Sequence, residues 1–324
     1  TINWFTQSTG GTSLGNSASG TNFSVSPAVN TTYYAETKST FGCLSSTRVA
    51  TAQISIVSKP TATLSGSSTI CLGSTGNFIT SFTGSQPWSF TYTDGTTPVT
   101  ISGITITPYS VNVSPINSKT YSITAISDVN CSGTFSGSFG LTVNPLPLAP
   151  TLVSPATATT ICNGNNINVS ATSAGNTINW YNQNSGGTYL GNSASSTNLS
   201  LNPTINTTYY AEAKTSLGCL SSTRTASSPV TIKALPTATL SGNNSICIGS
   251  SANLSISLTG TQPWSLIYTD GTTPVTVSGL ISSPYTFVVS PSITKTYYVT
   301  DVSDLVCATG TPIGAYALTV HRLP

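Results

Sequence analysis

Charged side chains are nearly missing from this chain: Asp, Glu, Lys and Arg together make up 5% of its 324 residues, against roughly 25% in ordinary soluble domains. There is one histidine, His321, no methionine, and seven acids in all. That inventory removes most catalytic constellations before geometry is considered, because acid–base and nucleophilic chemistry draw on His, Asp and Glu. The only two glutamates, Glu36 and Glu212, occupy one position in two copies of a repeat, so they fall in separate modules and cannot flank a single glycosidic bond. The nine basic residues are scattered and the net charge is +2, which excludes the clustered Lys and Arg of a nucleic-acid interface. No apolar run approaches the roughly 18 residues of a membrane helix. The chain is therefore expected to be neither an enzyme nor membrane-inserted in this segment, and to need no cofactor.

What is present is duplication. Trp4 recurs as Trp180, Cys43 as Cys219, Cys71 as Cys247, Trp88 as Trp264 and Cys131 as Cys307, always 176 residues on. Whole strings survive, among them NTTYYAE ending at Glu36 and Glu212, GCLSSTR ending at Arg48 and Arg224, and YTDGTTPVT ending at Thr100 and Thr276. A unit copied so faithfully works by number, as in a stalk, fibre or adhesive array. Each unit is itself two unlike modules, with proline clusters near Lys59-Pro60, Asn144 to Pro150 and Leu235-Pro236 as boundaries. The expected organisation is a partial first-type module at 1–57, a second-type module at 58–146, a first-type module at 147–233 and a second-type module at 234–324. Residues 1–57 lack a counterpart of Leu148 to Asn176, so the chain is read as starting inside a module. A neighbouring copy supplying the missing strands is the sharper form of that expectation.

Apolar residues alternate with small polar ones: Trp88, Phe90 and Tyr92; Tyr109, Val111 and Val113; Ile167, Val169 and Ala171; Trp264, Leu266 and Tyr268. The period is two, the signature of half-buried strands. Turn signals such as Asp94-Gly95, Asp270-Gly271 and Gly186-Gly187 separate them. About seven short strands per module describe an antiparallel two-sheet sandwich. The fold class is all-β, with modules arranged as beads on a string and almost no helix.

The tryptophans Trp4, Trp88, Trp180 and Trp264 are expected in the cores, as are Tyr121, Tyr209 and Tyr297. An exposed tryptophan stacking on a sugar is the functional alternative, but apolar residues two and four positions on share its face. In the pairs Tyr33-Tyr34, Tyr209-Tyr210 and Tyr297-Tyr298 one ring should point in and the other out, and the outward ring is the better binding candidate. The cysteines fit an intradomain scheme best: Cys71 with Cys131, Cys162 with Cys219, and Cys247 with Cys307, leaving Cys43 unpaired. Each loop of about 57 residues would then stabilise its module by on the order of 4 kcal/mol. A rival scheme joins neighbours, Cys43 with Cys71, Cys131 with Cys162 and Cys219 with Cys247, and strands Cys307. Metal binding is poorly supported without closely spaced cysteines or a second histidine.

Glu36 and Glu212 read as strand-surface charges near Lys38 and Lys214, where a Lys–Asn–Glu isopeptide link is conceivable. Asp301 and Asp304, or Asp94 and Asp270, could help hold structural calcium, but such a site needs about six oxygen ligands and turn-forming Asp-Gly is the commoner reason for the acid. Sequons at Asn22, Asn30, Asn112, Asn168, Asn198, Asn206, Asn243 and Asn253 follow from composition. Sheet edges carry few of the lysines that block edge-to-edge pairing, which favours association between copies or neighbouring repeats.

Cys162 to Arg224, with INWY, GGTYLGNS, TTYYAEAK and GCLSSTR, resembles the immunoglobulin-like repeats of surface proteins from gliding bacteria. Thr61 to Asp128, with TATLSG, TGSQPWSFTYTDG and KTYSITAISD, is similar to repeats of the same large proteins. The resemblance implies type IX secretion, gliding-motility association, a far longer chain and display at the cell surface as an adhesin or extracellular filament. It brings no catalytic residues. The expected function is thus a non-catalytic structural or adhesive repeat segment of a secreted, extracellular protein. The alternatives are a glycan-binding array with surface polysaccharide as partner, in which repetition supplies avidity, and accessory domains of a secreted hydrolase.

Overall fold

The computed structural model describes residues 1–242 and 244–324, so the sequon at Asn243 lies outside the described residues. Among these residues every regular element is a strand. Two compact units form, Thr1–Val143 and Asn144–Pro324.

In the first unit, residues 1–57 build a four-stranded antiparallel sheet in the order Gly15–Ser17, Ile2–Phe5, Tyr34–Thr37, Val49–Ala50. Trp4 pairs across to Ala35 on one side and Gly15 on the other. It is half-buried, not a closed core residue, and stacks on Phe23 at 5.9 Å between ring centroids.

Residues 61–144 form the second module of that unit. Gly76–Thr83 alternates buried and exposed at every position, and Trp88–Thr93 does so with half-buried outer residues. This is what period two requires of a strand with one face on the core. Phe78, Phe82, Trp88, Phe90, Tyr92, Tyr121 and Phe139 close into an aromatic cluster with Leu64 and Leu141. The strand Thr134–Asn144 joins the two layers. Its first residues run parallel to Thr61–Ser65, and from Ser138 to Leu141 it pairs antiparallel with Lys119–Ser127.

Gly137 sits at that switch with φ +84, and a Cβ there would lie 1.8 Å from the carbonyl oxygen of Leu64. Only glycine fits, for backbone and steric reasons together. The matching module of the second unit places Gly314 at the same switch, also at φ +84, between Thr311–Ile313 and Ala315–His321.

In the second unit, residues 151–233 form three small sheets: Thr151–Ser154 with Ile167–Thr172 and Leu199–Leu201; Thr159–Cys162 parallel to Val230–Lys233; and the order Tyr189–Ala194, Thr177–Tyr181, Tyr210–Lys214, Thr225–Ala226. Their core gathers Val153, Val169, Ile178, Trp180, Tyr209, Ala211 and Val230. Residues 237–321 form two sheets, ordered Tyr285–Val289, Ala252–Leu258, Thr237–Gly242, Thr311–Ile313 and Ser245–Cys247, Ala315–His321, Lys295–Ser303, Trp264–Thr269, Pro274–Leu280. Trp264, Leu266, Tyr297 and Val299 lie between them.

Gly137→Ala should destabilise the first unit by more than the roughly 1–3 kcal/mol of a left-handed non-glycine residue, because the carbonyl clash adds to it. Gly95→Ala is the control: its φ is +91 and a Cβ there meets nothing within 4 Å. Guanidinium unfolding midpoints compare the two, and equal midpoints would remove the steric argument for the switch.

Candidate functional site: the arginine clamp and the module junction

The buried tryptophans are satisfied core residues. Trp180 is fully buried and its Nε1–H donates to Ser193 Oγ at 3.2 Å, while Trp88 and Trp264 donate to the carbonyls of Thr83 and Thr259 at 3.0 and 2.9 Å. None is an open sugar platform. Tyr121, Tyr209 and Tyr297 are buried, whereas Tyr298 is 40% exposed.

Glu36 and Glu212 are not surface charges facing lysine. Glu212 is buried, and its Oε1 meets Arg224 Nε at 3.2 Å; Glu36 meets Arg48 at 3.3 Å in the other copy. Arg224 also donates from Nη1 to the carbonyls of Gln183 and Gly186 at 2.9 and 2.7 Å, and its Cζ lies 3.4 Å above the ring of Tyr181. The Tyr181 hydroxyl donates to Glu212 Oε2 at 3.2 Å. Burial, and then the Glu212 carboxylate, push that phenol upward. Arg48 repeats the arrangement with Gln7, Gly10 and the ring of Phe5, at 2.9, 2.6 and 3.2 Å.

The physical reason is register. Glu212 stands opposite Asn179 on the adjoining strand, and the chain returns through GCLSSTR so that Arg224 arrives beside it. Lys38 and Lys214, two residues along the strand from each glutamate, have exposed side chains and form no ion pair with it. The isopeptide expectation thus gives way to an arginine clamp. Its signal was in the sequence all along, an arginine retained in both copies of a charge-poor chain.

The depression beside Glu36 and Arg48 is lined by Ser8, Thr9, Gly10, Ser46 and Thr47. It is polar and holds no aromatic ring.

The aspartates brace turns. Asp94 Oδ1 accepts the N–H and the hydroxyl of Thr96 at 3.0 and 2.6 Å, and Oδ2 pairs with Lys119 at 3.0 Å. The Thr96 hydroxyl first, then the Lys119 ammonium, hold this carboxyl far below its ordinary value. Asp270 does the same with Thr272 and Lys295. Asp304 accepts backbone N–H groups of Thr261, Val306 and Cys307. Among the described residues no three His, Cys, Asp or Glu side chains gather as a metal would require.

The cysteines depart most from expectation. Cys162 bonds Cys307, with 5.7 Å between their Cα atoms and a sequence separation of 145. Both partners are buried. Cys71 and Cys219 are also disulfide-bonded, while Cys43, Cys131 and Cys247 are free thiols. All three intradomain pairs, Cys71 with Cys131, Cys162 with Cys219 and Cys247 with Cys307, are therefore corrected, and so is the neighbour scheme that strands Cys307. Cys162 ends a strand laid parallel to Val230–Lys233 and stands opposite Lys233, at the link into the next module. The bond is a staple across the junction between residues 147–233 and 234–324.

Residues 1–56 and 147–233 match the family model described as an Ig-like domain, CHU_C associated. An I-band fragment of titin is similar in structure at 15% identity, covering 83% of this chain and all of the fragment, with a TM-score of 0.33. A structure from a 1.5-MDa bacterial ice-binding adhesin has 13% identity, coverage of 81% and 97%, and a TM-score of 0.31. Fibronectin(III)-like modules of Clostridium thermocellum CbhA have 18% identity, coverage of 52% and 93%, and a TM-score of 0.28. No curated protein matches the chain. The described residues are all-β, and within them 1–56 and 147–233 are similar to immunoglobulin-like domains. No helix among the described residues is long and apolar enough to cross a membrane.

Removing one partner of a buried ion pair leaves the other charge stranded, so Arg224→Ala should cost about 3–5 kcal/mol. Arg224→Lys should recover little, since an ammonium cannot serve a carboxylate, two carbonyls and a ring face at once. Chemical unfolding measures both, and a lysine variant as stable as the parent would contradict the clamp.

A second expectation concerns acid. The folded-state values of Asp94 and Asp270 lie below the ordinary 3.8, so their contribution is complete above about pH 5 and is lost as pH falls through the folded value. The double variant Asp94→Asn, Asp270→Asn should show a shallower fall in unfolding midpoint than the parent between roughly pH 5 and pH 2. Identical slopes would show that these turns do not drive the acid response.

Proposed function

We propose that this chain is a non-catalytic, load-bearing and adhesive repeat segment of a large secreted cell-surface protein or extracellular filament. The observation that carries the reading is the Cys162–Cys307 bond, which joins two successive domains instead of closing a loop within one. A staple at that position resists separation of the modules under tension, as a stalk requires. Disulfides persist in oxidising compartments, which supports an extracellular location. The low charge and the duplicated unit support the same reading: reach and stiffness scale with the number of copies. The similarity of two segments to a family of immunoglobulin-like domains supports a surface role, and export by the type IX route belongs to this proposal as the resemblance implies it.

Two measurements test it. Antibody raised against the chain should label intact, unpermeabilised cells in immunogold microscopy, and label restricted to lysed cells would sink the surface role. In single-molecule pulling, residues between Cys162 and Cys307 are shielded while the bond holds. Reduction should add on the order of 500 Å of contour length for 145 residues at full extension. The same extension before and after reduction would mean that the staple bears no load.

A further inference from the structure

Each free thiol has a bonded counterpart one repeat away: Cys43 matches Cys219, Cys131 matches Cys307, and Cys247 matches Cys71. Near-identical local sequence surrounds Cys43 and Cys247 and their counterparts, and the Cys131 and Cys307 loops share the aspartate three residues before the cysteine. The difference in state must then come from whether a partner sulfur is at hand.

The Cys131 loop makes the point in detail. Asp128 Oδ1 accepts the backbone N–H of Asn130 and of Cys131 at 2.8 Å each, Oδ2 accepts that of Ser85 at 2.9 Å, and the Asp128 N–H donates to the Cys131 carbonyl at 2.9 Å. Around the bonded Cys307, Asp304 takes Val306 at 2.9 Å, Cys307 at 2.6 Å and Thr261 at 2.8 Å, and its N–H donates to the Cys307 carbonyl at 2.9 Å. The two loops are held alike whether the sulfur is thiol or disulfide. The loop is thus built to present the sulfur before any bond forms. What differs is cover: Cys307 is wholly buried against its partner module, while Cys131 is half-buried and Cys43 and Cys247 are exposed. Val129, 64% exposed, is the counterpart of Leu305 at 66%, while Asn130 stands where the other loop has Val306.

We infer that Cys43, Cys131 and Cys247 are half-cystine positions, each bonded to a cysteine of another module of these two types, so that modules along the array are stapled to one another as Cys162 and Cys307 staple theirs. Formation of each bond joins two thiols with loss of two protons and two electrons; the electrons reduce a disulfide oxidant, such as glutathione disulfide, to two thiols. The partner module belongs either to the same polypeptide or to a second one, and the chemistry is shared.

The test uses protein isolated from its natural source. Thiols are blocked with iodoacetamide under denaturing conditions, the disulfides are then reduced, and the released thiols are labelled with N-ethylmaleimide before peptide mass spectrometry. The expected result is maleimide on Cys43, Cys131 and Cys247. Acetamide on them overturns the inference, as does a glutathione adduct or a bond from Cys131 to Cys71 in the unreduced digest. Crosslinked peptides in that digest should join each of the three to a cysteine of another module. A chain mass unchanged by reduction places that module on the same polypeptide, and a mass that falls places it on a second.

Discussion

In residues 61–144 and 237–321 the structure depends on one packing constraint, the burial of alternate side chains along the strand that carries the tryptophan. Trp88, Phe90 and Tyr92 turn one face inward, and Phe78 and Phe82 of the facing strand meet them with ring centroids 5.2 to 5.6 Å apart at Phe78–Tyr92, Phe82–Trp88 and Phe82–Phe90. Aromatic contacts of this kind add to the area they bury. In the first-type module of the second unit Trp180 plays the same part with aliphatic neighbours and a serine for its N–H. With the interior settled by period-two alternation, the outward residues are free to be Ser, Thr and Asn, and the near absence of charge becomes tolerable.

The few charges that remain are concentrated where the backbone needs them. Arg224 and Arg48 each tie a carboxylate, two carbonyls and an aromatic face into one contact. Asp94 and Asp270 each fold a hairpin end and draw in a lysine from the neighbouring strand. Because a buried charge is costly unless it is fully partnered, such contacts act as address labels that select one arrangement of loops. Asp128 and Asp304 use their oxygens for the same purpose at the loops bearing Cys131 and Cys307, which connects the scarcity of charge to the covalent joints.

Much of this was legible beforehand. The alternation of Ile167, Val169 and Ala171 placed a strand with one buried face, and Asp-Gly pairs located the hairpin turns. The doubling of the sequence announced that features set by local sequence would recur, as the two clamps and the two switch glycines do. The clamp itself was missed because Glu212 and Arg224 lie 12 residues apart along the chain, a separation with no meaning until the strand and its return loop are paired. Tyr181 and Phe5 beneath the arginines were equally silent, since an aromatic residue in a strand reads as core whatever stands above it.

The sequence by itself determined the all-β class, the 176-residue period, the inward Trp88, Trp180 and Trp264 and the lack of a catalytic inventory, because composition and alternation are local properties that survive without knowledge of how modules meet. Cysteine pairing was decided only by tertiary structure. Spacing made Cys162 and Cys219 the natural pair, yet the parallel pairing of Thr159–Cys162 with Val230–Lys233 carries Cys162 to the module's end, where the Asp304 loop presents Cys307. A disulfide forms between sulfurs that are brought within bonding distance, and that distance is a property of how strands and loops are placed in space.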